Sequence, residues 1–170
     1  MCIRDRFDTV LGHDRRTVLD ADALNLLAHS PRANAQWILT PHPGEAARLL
    51  GKTAGEVQHD RLGAARAIAA RYGGTVVLKG AGTLVVTDAA RPAICDRGNP
   101  GMASAGMGDV LTGVIAGIVA QSGDLAAAAR VGVLVHALAG DMAARRGERG
   151  LLATDLLAYL PTCVNPSQRS

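Results

Sequence analysis

Asn99-Pro-Gly-Met-Ala-Ser-Ala-Gly-Met-Gly-Asp-Val-Leu-Thr-Gly113 is the stretch around which this chain is organised. Pro100 and the glycines at 101, 106 and 108 make a turn that closes on Asp109 and runs straight into the apolar Val110–Ala120. Glycine admits positive φ and leaves room for a ligand to come close to the backbone. A loop of this kind feeding a helix aims unpaired N–H groups, and the positive end of the helix dipole, at one spot. That spot is an anion site. Asp109 falls in the first helical turn, where a negative charge suits the dipole. A phosphate cradle beside a carboxylate suits phosphoryl chemistry on a hydroxyl group. A tight loop with an ordinary acidic first turn is the plainer alternative, and the rest of the chain decides between them.

Upstream, short apolar runs alternate with helical patterns. Thr17-Val-Leu-Asp20 precedes a helix over Ala21–His29, and Trp37-Ile-Leu-Thr40 leads through a Pro-Gly turn into Glu45–Leu50. Val57–Tyr72 reads as one amphipathic helix, and Thr75–Leu78 as a buried strand closing on Lys79-Gly80. Thr83–Thr87 and Pro92–Cys95 suggest a hairpin turning over Asp88–Arg91. Downstream the pattern predicts helices over Asp109–Ala120, Leu125–Arg145 and Thr154–Leu160, with Pro161 as a stop. Phe7–Leu11 reads as a short strand, residues 1–16 are otherwise unassigned, and 162–170 is a tail. The alternation implies an α/β fold with a mostly parallel sheet and helices on both faces. Ligands bind beyond the carboxyl ends of such strands, where Asp20, Thr40 and Lys79 stand.

Composition agrees. The 170 residues suit one domain with a sizeable core; 48% are apolar but only 2% aromatic, so that core is aliphatic. A net charge of +3, scattered and without basic–aromatic clusters, suits small anions and argues against nucleic acid. Cys2, Cys95 and Cys163 are odd in number and widely spaced, as expected in a reducing compartment without disulfides or zinc. No apolar run reads as membrane-spanning, and the charged opening does not resemble a signal peptide, so a cytoplasmic protein is expected.

Three further segments carry candidate chemistry. Asp20-Ala-Asp-Ala-Leu-Asn25 places two carboxylates and an amide at a strand end. Asp22 reads as a helix cap, Asp20 as a position for magnesium or a polar substrate, and Asn25 as a possible ligand contact. In Thr40-Pro-His-Pro-Gly-Glu45 two prolines bracket His42 at the ligand edge, and Glu45 opens a helix, where capping is its ordinary role. In Lys79-Gly-Ala-Gly-Thr83 a strand end meets flexible backbone, and Lys79 is one of only two lysines against 16 arginines. A lysine ammonium suits a phosphate oxygen; a solvated turn lysine is the alternative. The spacing is neither a Walker loop nor a dinucleotide fingerprint. His136 reads as a core residue, and Asp124, Asp141 and Asp155 as caps or solvated positions.

Taken together, VLDADALNLLA (18–28), LTPHPGEAARLLG (39–51), VLKGAGTLV (77–85), NPGMASAGMGDVLTGVIAG (99–117) and ERGLLATDLLAYLP (148–161) resemble the ADP-dependent NAD(P)H-hydrate dehydratases, of the ribokinase-like fold. The resemblance covers about residues 17–161 and implies repair of hydrated nicotinamide cofactor. ADP, or ATP in eukaryotic relatives, phosphorylates the ring hydroxyl of (6S)-NAD(P)HX; phosphate is then eliminated, restoring NAD(P)H. By position, Lys79, Gly80, Ala81, Gly82, Thr83 and Gly108 would hold the adenine nucleotide, while His42 and Asp109 would contact the hydrated cofactor. Ala105, Gly106, Met107 and Gly108 would form the anion hole. Asp109 would orient or deprotonate the hydroxyl, a modest task if the transition state is loose. Mg2+ would ride on the nucleotide phosphates, reached by Glu45 through water, with no direct protein ligand.

Vitamin-precursor kinases of the same fold tend to carry Asn where His42 stands, which ranks the dehydratase above such a kinase. Family members also have an N-terminal portion with no counterpart here. The chain therefore reads as a C-terminal portion of a dehydratase, with an inactive nucleotide-binding fragment as an alternative. An exposed sheet edge and self-association are expected; the family tends toward tetramers.

Overall fold

The computed structural model describes residues 3–87 and 91–165. The expected hairpin turn over Asp88–Arg91 lies largely outside those residues. The chain opens with helix α1 (Ile3–Leu11), strand β1 (Thr17–Leu19), helix α2 (Asp22–His29), strand β2 (Trp37–Leu39) and helix α3 (Pro43–Leu50). Helices α4 (Ala54–His59) and α5 (Arg61–Tyr72) follow, then strands β3 (Thr75–Leu78), β4 (Thr83–Thr87) and β5 (Ala93–Cys95). After a 3-10 turn at Pro100–Met102 come α6 (Met107–Ser122), α7 (Leu125–Ala143), a 3-10 helix at Ala153–Ala158 and α8 (Leu160–Val164).

The strands form one sheet in the order β1-β2-β3-β4-β5. β1, β2 and β3 are parallel, with Val18 beside Ile38 and Leu39 beside Val76. β4 and β5 add antiparallel neighbours, with Val77 opposite Val85 and Leu84 opposite Ile94. The sheet is thus mixed, parallel where β-α-β crossovers build it and antiparallel at the hairpin.

Side chains alternate between the two faces of the sheet, and both faces are buried. Leu19, Leu39, Val76, Leu78, Leu84 and Val86 meet Leu24 and Leu27 of α2, Leu49 of α3, and Ile68 and Tyr72 of α5. Val18, Ile38, Val77 and Val85 meet Leu111, Ile115 and Val119 of α6 and Val133 of α7. Each such burial stabilises by roughly 1.5–3 kcal/mol. The 22-residue run Leu125–Arg146, mean hydropathy 1.4, is by length and composition apolar enough to cross a bilayer. The sequence reading missed a run of that length; half of its most apolar window is buried inside the fold as sheet core.

Four local expectations are corrected. Phe7–Leu11 is helix, not strand: Phe7 and Leu11, one turn apart, reach the first core cluster while Asp8, Thr9 and Val10 are exposed. Val57–Tyr72 is broken at Asp60, whose carboxylate accepts the Gly63 N–H at 2.8 Å and starts a new helix. Pro161 does not stop a helix; it sits in the first turn of α8, where a missing N–H costs nothing. The predicted third helix is 3-10 over Ala153–Ala158.

Candidate functional site

The carboxyl ends of β1 and β3 deliver Asp20 and Lys79 to the same place. Lys79 Nζ lies 2.7 Å from Asp20 Oδ1 and 3.7 Å from Glu45 Oε2, and Thr112 of α6 donates to Asp20 Oδ2 at 3.0 Å. The Asp20 side chain is 11% exposed and that of Glu45 only 7%, so the ammonium sits between two largely desolvated carboxylates. Opposite charges this well shielded attract far more strongly than on an open surface. Thr112 was not singled out from sequence; it falls three residues past Asp109, on the turn of α6 that faces β1.

Helix α6 begins over this pair. Its N-cap, Gly106, has φ 83° and ψ −12°, a left-handed conformation that glycine adopts without strain, and it offers no side-chain cap. The first intrahelical bond runs from Val110 N to Gly106 O, so the Met107, Gly108 and Asp109 N–H groups precede the ladder. A Cβ on Gly108 would lie 3.3 Å from Lys79 Nζ and 3.4 Å from Asp20 Oδ2. The lysine charge and the open helix end therefore address one point, and glycine is what lets them approach.

A cleft of about 860 Å³ opens from that point. Its lining includes His42, Lys79, Gly80, Gly82, Thr83 and Gly108, together with the apolar Met102, Met107, Leu111, Val133 and Ala137 and the ring of His136. Glycine-rich backbone and a lysine together with apolar side chains around a cavity of this size suit a ligand that carries both phosphates and a flat ring. Thr83 also closes its own turn, donating to the Gly80 carbonyl at 3.0 Å.

His42 is the N-cap of α3. Its Nδ1 accepts from the Gly44 and Glu45 N–H groups at 3.0 and 3.4 Å, and Glu45 Oε2 accepts from the His42 N–H at 2.7 Å. With Nδ1 accepting, Nε2 carries the ring proton. The side chain is 51% exposed and lines the cleft, so the ring both caps a helix and faces the ligand space. Glu45 is the other half of the capping box.

The remaining candidates divide. Asp109 and Ala105 are exposed and lie outside the lining of the cleft, as does Gly106. Asn25 is not among the residues lining the cleft; its Oδ1 accepts from Arg48 at 2.9 Å and ties α2 to α3. Asp22 does not cap α2. Ala21 holds the cap position at φ 47° and ψ −115°, a strained conformation next to Asp20, while Asp22 sits in the first turn. Asp124 and Asp155 cap helix starts as expected. Asp141 does more, accepting from Gly98 N and Asn99 Nδ2, both at 3.0 Å, and so holds the start of the glycine loop onto α7.

His136 is buried, as expected of a core residue, but its ring also lines the cleft and its Nε2 has no partner. Burial pushes its pKa down to about 4 against a smaller opposing pull from the Met107 backbone. Cys95 and Cys163 are free. Among the described residues no group of three or more His, Cys, Asp or Glu is placed to hold a metal ion.

An α/β sheet whose parallel strands end beside a lysine, two glycine-rich turns and an uncapped helix has the ribokinase-like fold. The ribokinase of Arabidopsis thaliana superposes on it with a TM-score of 0.52 over 84% of this chain and 46% of that one, at 16% identity. The profile of one family, NAD(P)H-hydrate dehydratase, matches residues 3–162, so the chain belongs to that family. It is 55% identical over 158 residues to the bifunctional NAD(P)H-hydrate repair enzyme Nnr of Coxiella burnetii, covering 92% of this chain and 32% of the relative. It also matches the ADP/ATP-dependent NAD(P)H-hydrate dehydratase of Bacillus subtilis, co-crystallised with ATP/Mg2+, with a TM-score of 0.84 at 31% identity. That match covers 95% of this chain and 58% of the Bacillus chain. The chain therefore spans about a third of the length of the curated relative and under two thirds of the solved one.

Proposed function

We propose that this chain carries the nucleotide site and one flank of the hydrate site of an NAD(P)H-hydrate dehydratase. In this reading ADP occupies the cleft with its phosphates at Lys79, Gly80–Thr83 and the N-terminus of α6, and with adenine among the apolar side chains. A bond forms between the terminal phosphorus and the ring hydroxyl oxygen of (6S)-NAD(P)HX, AMP leaves, and the hydroxyl proton passes to the exposed carboxylate of Asp109. The C–O bond then breaks, inorganic phosphate departs, and the adjacent ring carbon gives up a proton to solvent or to the leaving phosphate, so that the ring double bond of NAD(P)H is restored. His42, half-exposed with its Nε2 3.5 Å from Glu45 Oε1, would turn that N–H toward the hydrated cofactor.

The observation that carries the reading is the placement of Lys79 Nζ 3.3 Å from where a Gly108 Cβ would stand, beneath unpaired helix N–H groups. A positive charge and preorganised donors at one point stabilise a transferring phosphoryl group more than they stabilise the ground state. Asp20 and Glu45 are oxygen donors but already hold Lys79, which suits a Mg2+ that arrives on the nucleotide rather than on a protein cage. When bound, that ion would neutralise phosphate charge. The cytoplasmic setting and the assembly of several copies belong to the same proposal. β1, with β2 as its neighbour on one side, is a sheet edge available for further pairing.

Calorimetric titration of the chain with ADP and Mg2+, followed by addition of NADHX with the dihydronicotinamide absorbance as readout, tests it. Binding with recovered absorbance supports the dehydratase. Binding without turnover keeps the nucleotide site and assigns the hydrate site to residues beyond this chain. Accumulation of a phosphorylated vitamin precursor would favour the kinase instead.

A further inference from the structure

Arg61, in the first turn of α5, has no part in the site described so far. Its Nη1 donates to the Ala81 carbonyl, and its Nη2 faces the carbonyls of Leu78 at 3.3 Å and Lys79 at 3.4 Å. A Cβ on Gly80, which has φ 137°, would lie 3.1 Å from Nη2, so the loop wraps the guanidinium closely.

A trans peptide points its N–H opposite to its C=O. With the carbonyls of 78, 79 and 81 turned toward Arg61, the N–H groups of Lys79, Gly80 and Gly82 turn away from it. The Lys79 N–H is taken by the Pro41 carbonyl at 2.8 Å. Gly80 and Gly82 line the cleft, whereas Arg61 does not. The acceptors on Arg61 are neutral carbonyls, and among the described residues no carboxylate pairs with it, so a full positive charge stands behind the loop. Its Nε is buried without a partner, a desolvation cost that the carbonyl contacts must offset.

We propose that Arg61 is a positioning residue: it shapes the 79–82 backbone in advance, so that the Gly80 and Gly82 N–H groups face the cleft as anion donors alongside the N-terminus of α6. The ligand group they receive is the polyphosphate of a nucleoside di- or triphosphate. The inference rests on the nucleotide reading above.

Arg61→Met and Arg61→Lys test it, each titrated by calorimetry with ADP and, separately, with adenosine, which lacks the phosphates. Amide hydrogen exchange over residues 79–83 is followed in the free protein. Arg61→Met is expected to weaken ADP about tenfold, because the loop must then be ordered on binding, to leave adenosine unchanged, and to speed exchange in the loop. Arg61→Lys keeps the charge but not the fork, and recovers part of the ADP affinity. It also serves if the methionine variant does not fold. Unchanged ADP binding, or ADP and adenosine weakened equally, overturns the positioning role. A wild-type chain that binds neither ligand overturns the nucleotide reading itself, and this inference with it.

Discussion

Among the helices that begin at the carboxyl edge of the parallel strands, α3 and α6 build their first turns in opposite ways. α3 starts on His42, whose Nδ1 takes two N–H groups, and Pro43 has none to offer. α6 starts on Gly106 with no side-chain cap at all. Both ends carry the same partial positive charge from the helix dipole. Of these two, α6 leaves its donors without a side-chain cap, and Lys79 stands beside them. In the proposed reading the capped end of α3 positions side chains and the uncapped end of α6 receives the anion. Breaking that contrast in either direction gives the sharpest tests.

The largest effect is expected from the lysine that distinguishes the open end. Lys79→Met leaves Asp20 and Glu45 buried without their cation, and destabilisation of ~3–5 kcal/mol is the scale for breaking such a pair. ADP binding by the remaining folded protein should fall below detection in calorimetry. A variant that melts like wild type and still binds ADP would show that the open end needs no fixed charge.

Acid attacks the same end through His136, whose ring lines the cleft near Met107, the first residue of α6. Burial holds its folded pKa at about 4, below the ordinary 6.5 of a histidine, so the unfolded chain binds the proton more readily between those values. Stability from this group is fully present above pH 6.5 and is lost as pH falls toward 4, by roughly 3 kcal/mol. Denaturant melts at pH 7, 5.5 and 4 should show that slope, and His136→Leu should flatten it.

How much of this was legible in the sequence follows the physics of each element. The strands β1, β2 and β3 were readable because both faces are buried, which writes each as a continuous apolar run ending on a polar residue. The open end of α6 was readable because only glycine fits its backbone and its close approach to Lys79. Thr112, Arg61 and Asp141 were not, since each acts across a fold contact on a residue 92, 17 to 20, or 42 to 43 positions away. The role of His42 was half visible: prolines on both sides announced a fixed residue, but not that the ring itself is the cap. Ala21 was invisible, because nothing in an Asp-Ala-Asp run signals a positive φ.

A third test closes the open end. Gly106→Ala places a Cβ at φ 83° and 3.2 Å from the Ala153 Cβ, and should cost about 1–2 kcal/mol in stability. Gly106→Asn tolerates that backbone better and can cap the free N–H groups, so it should recover part of the stability yet still weaken ADP. If both variants bind ADP as wild type does, the donors at 107–109 are not where the phosphates sit. Urea melts with parallel ADP titrations separate the two quantities.

The smallest effect tests the capped end and separates the two duties of His42. His42→Ala removes the acceptor for the Gly44 and Glu45 N–H groups, and loss of a cap costs about 1 kcal/mol. His42→Asn restores an N-cap acceptor without an imidazole Nε2–H. If the ring serves only α3, Asn returns the protein to wild-type stability and leaves ADP binding and any NADHX turnover unchanged. If the ring also meets the hydrated cofactor, Asn restores the melt but not turnover, while ADP affinity stays constant. The second outcome is expected, because a cap needs only an acceptor, whereas this cap leaves a half-exposed ring standing in the cleft.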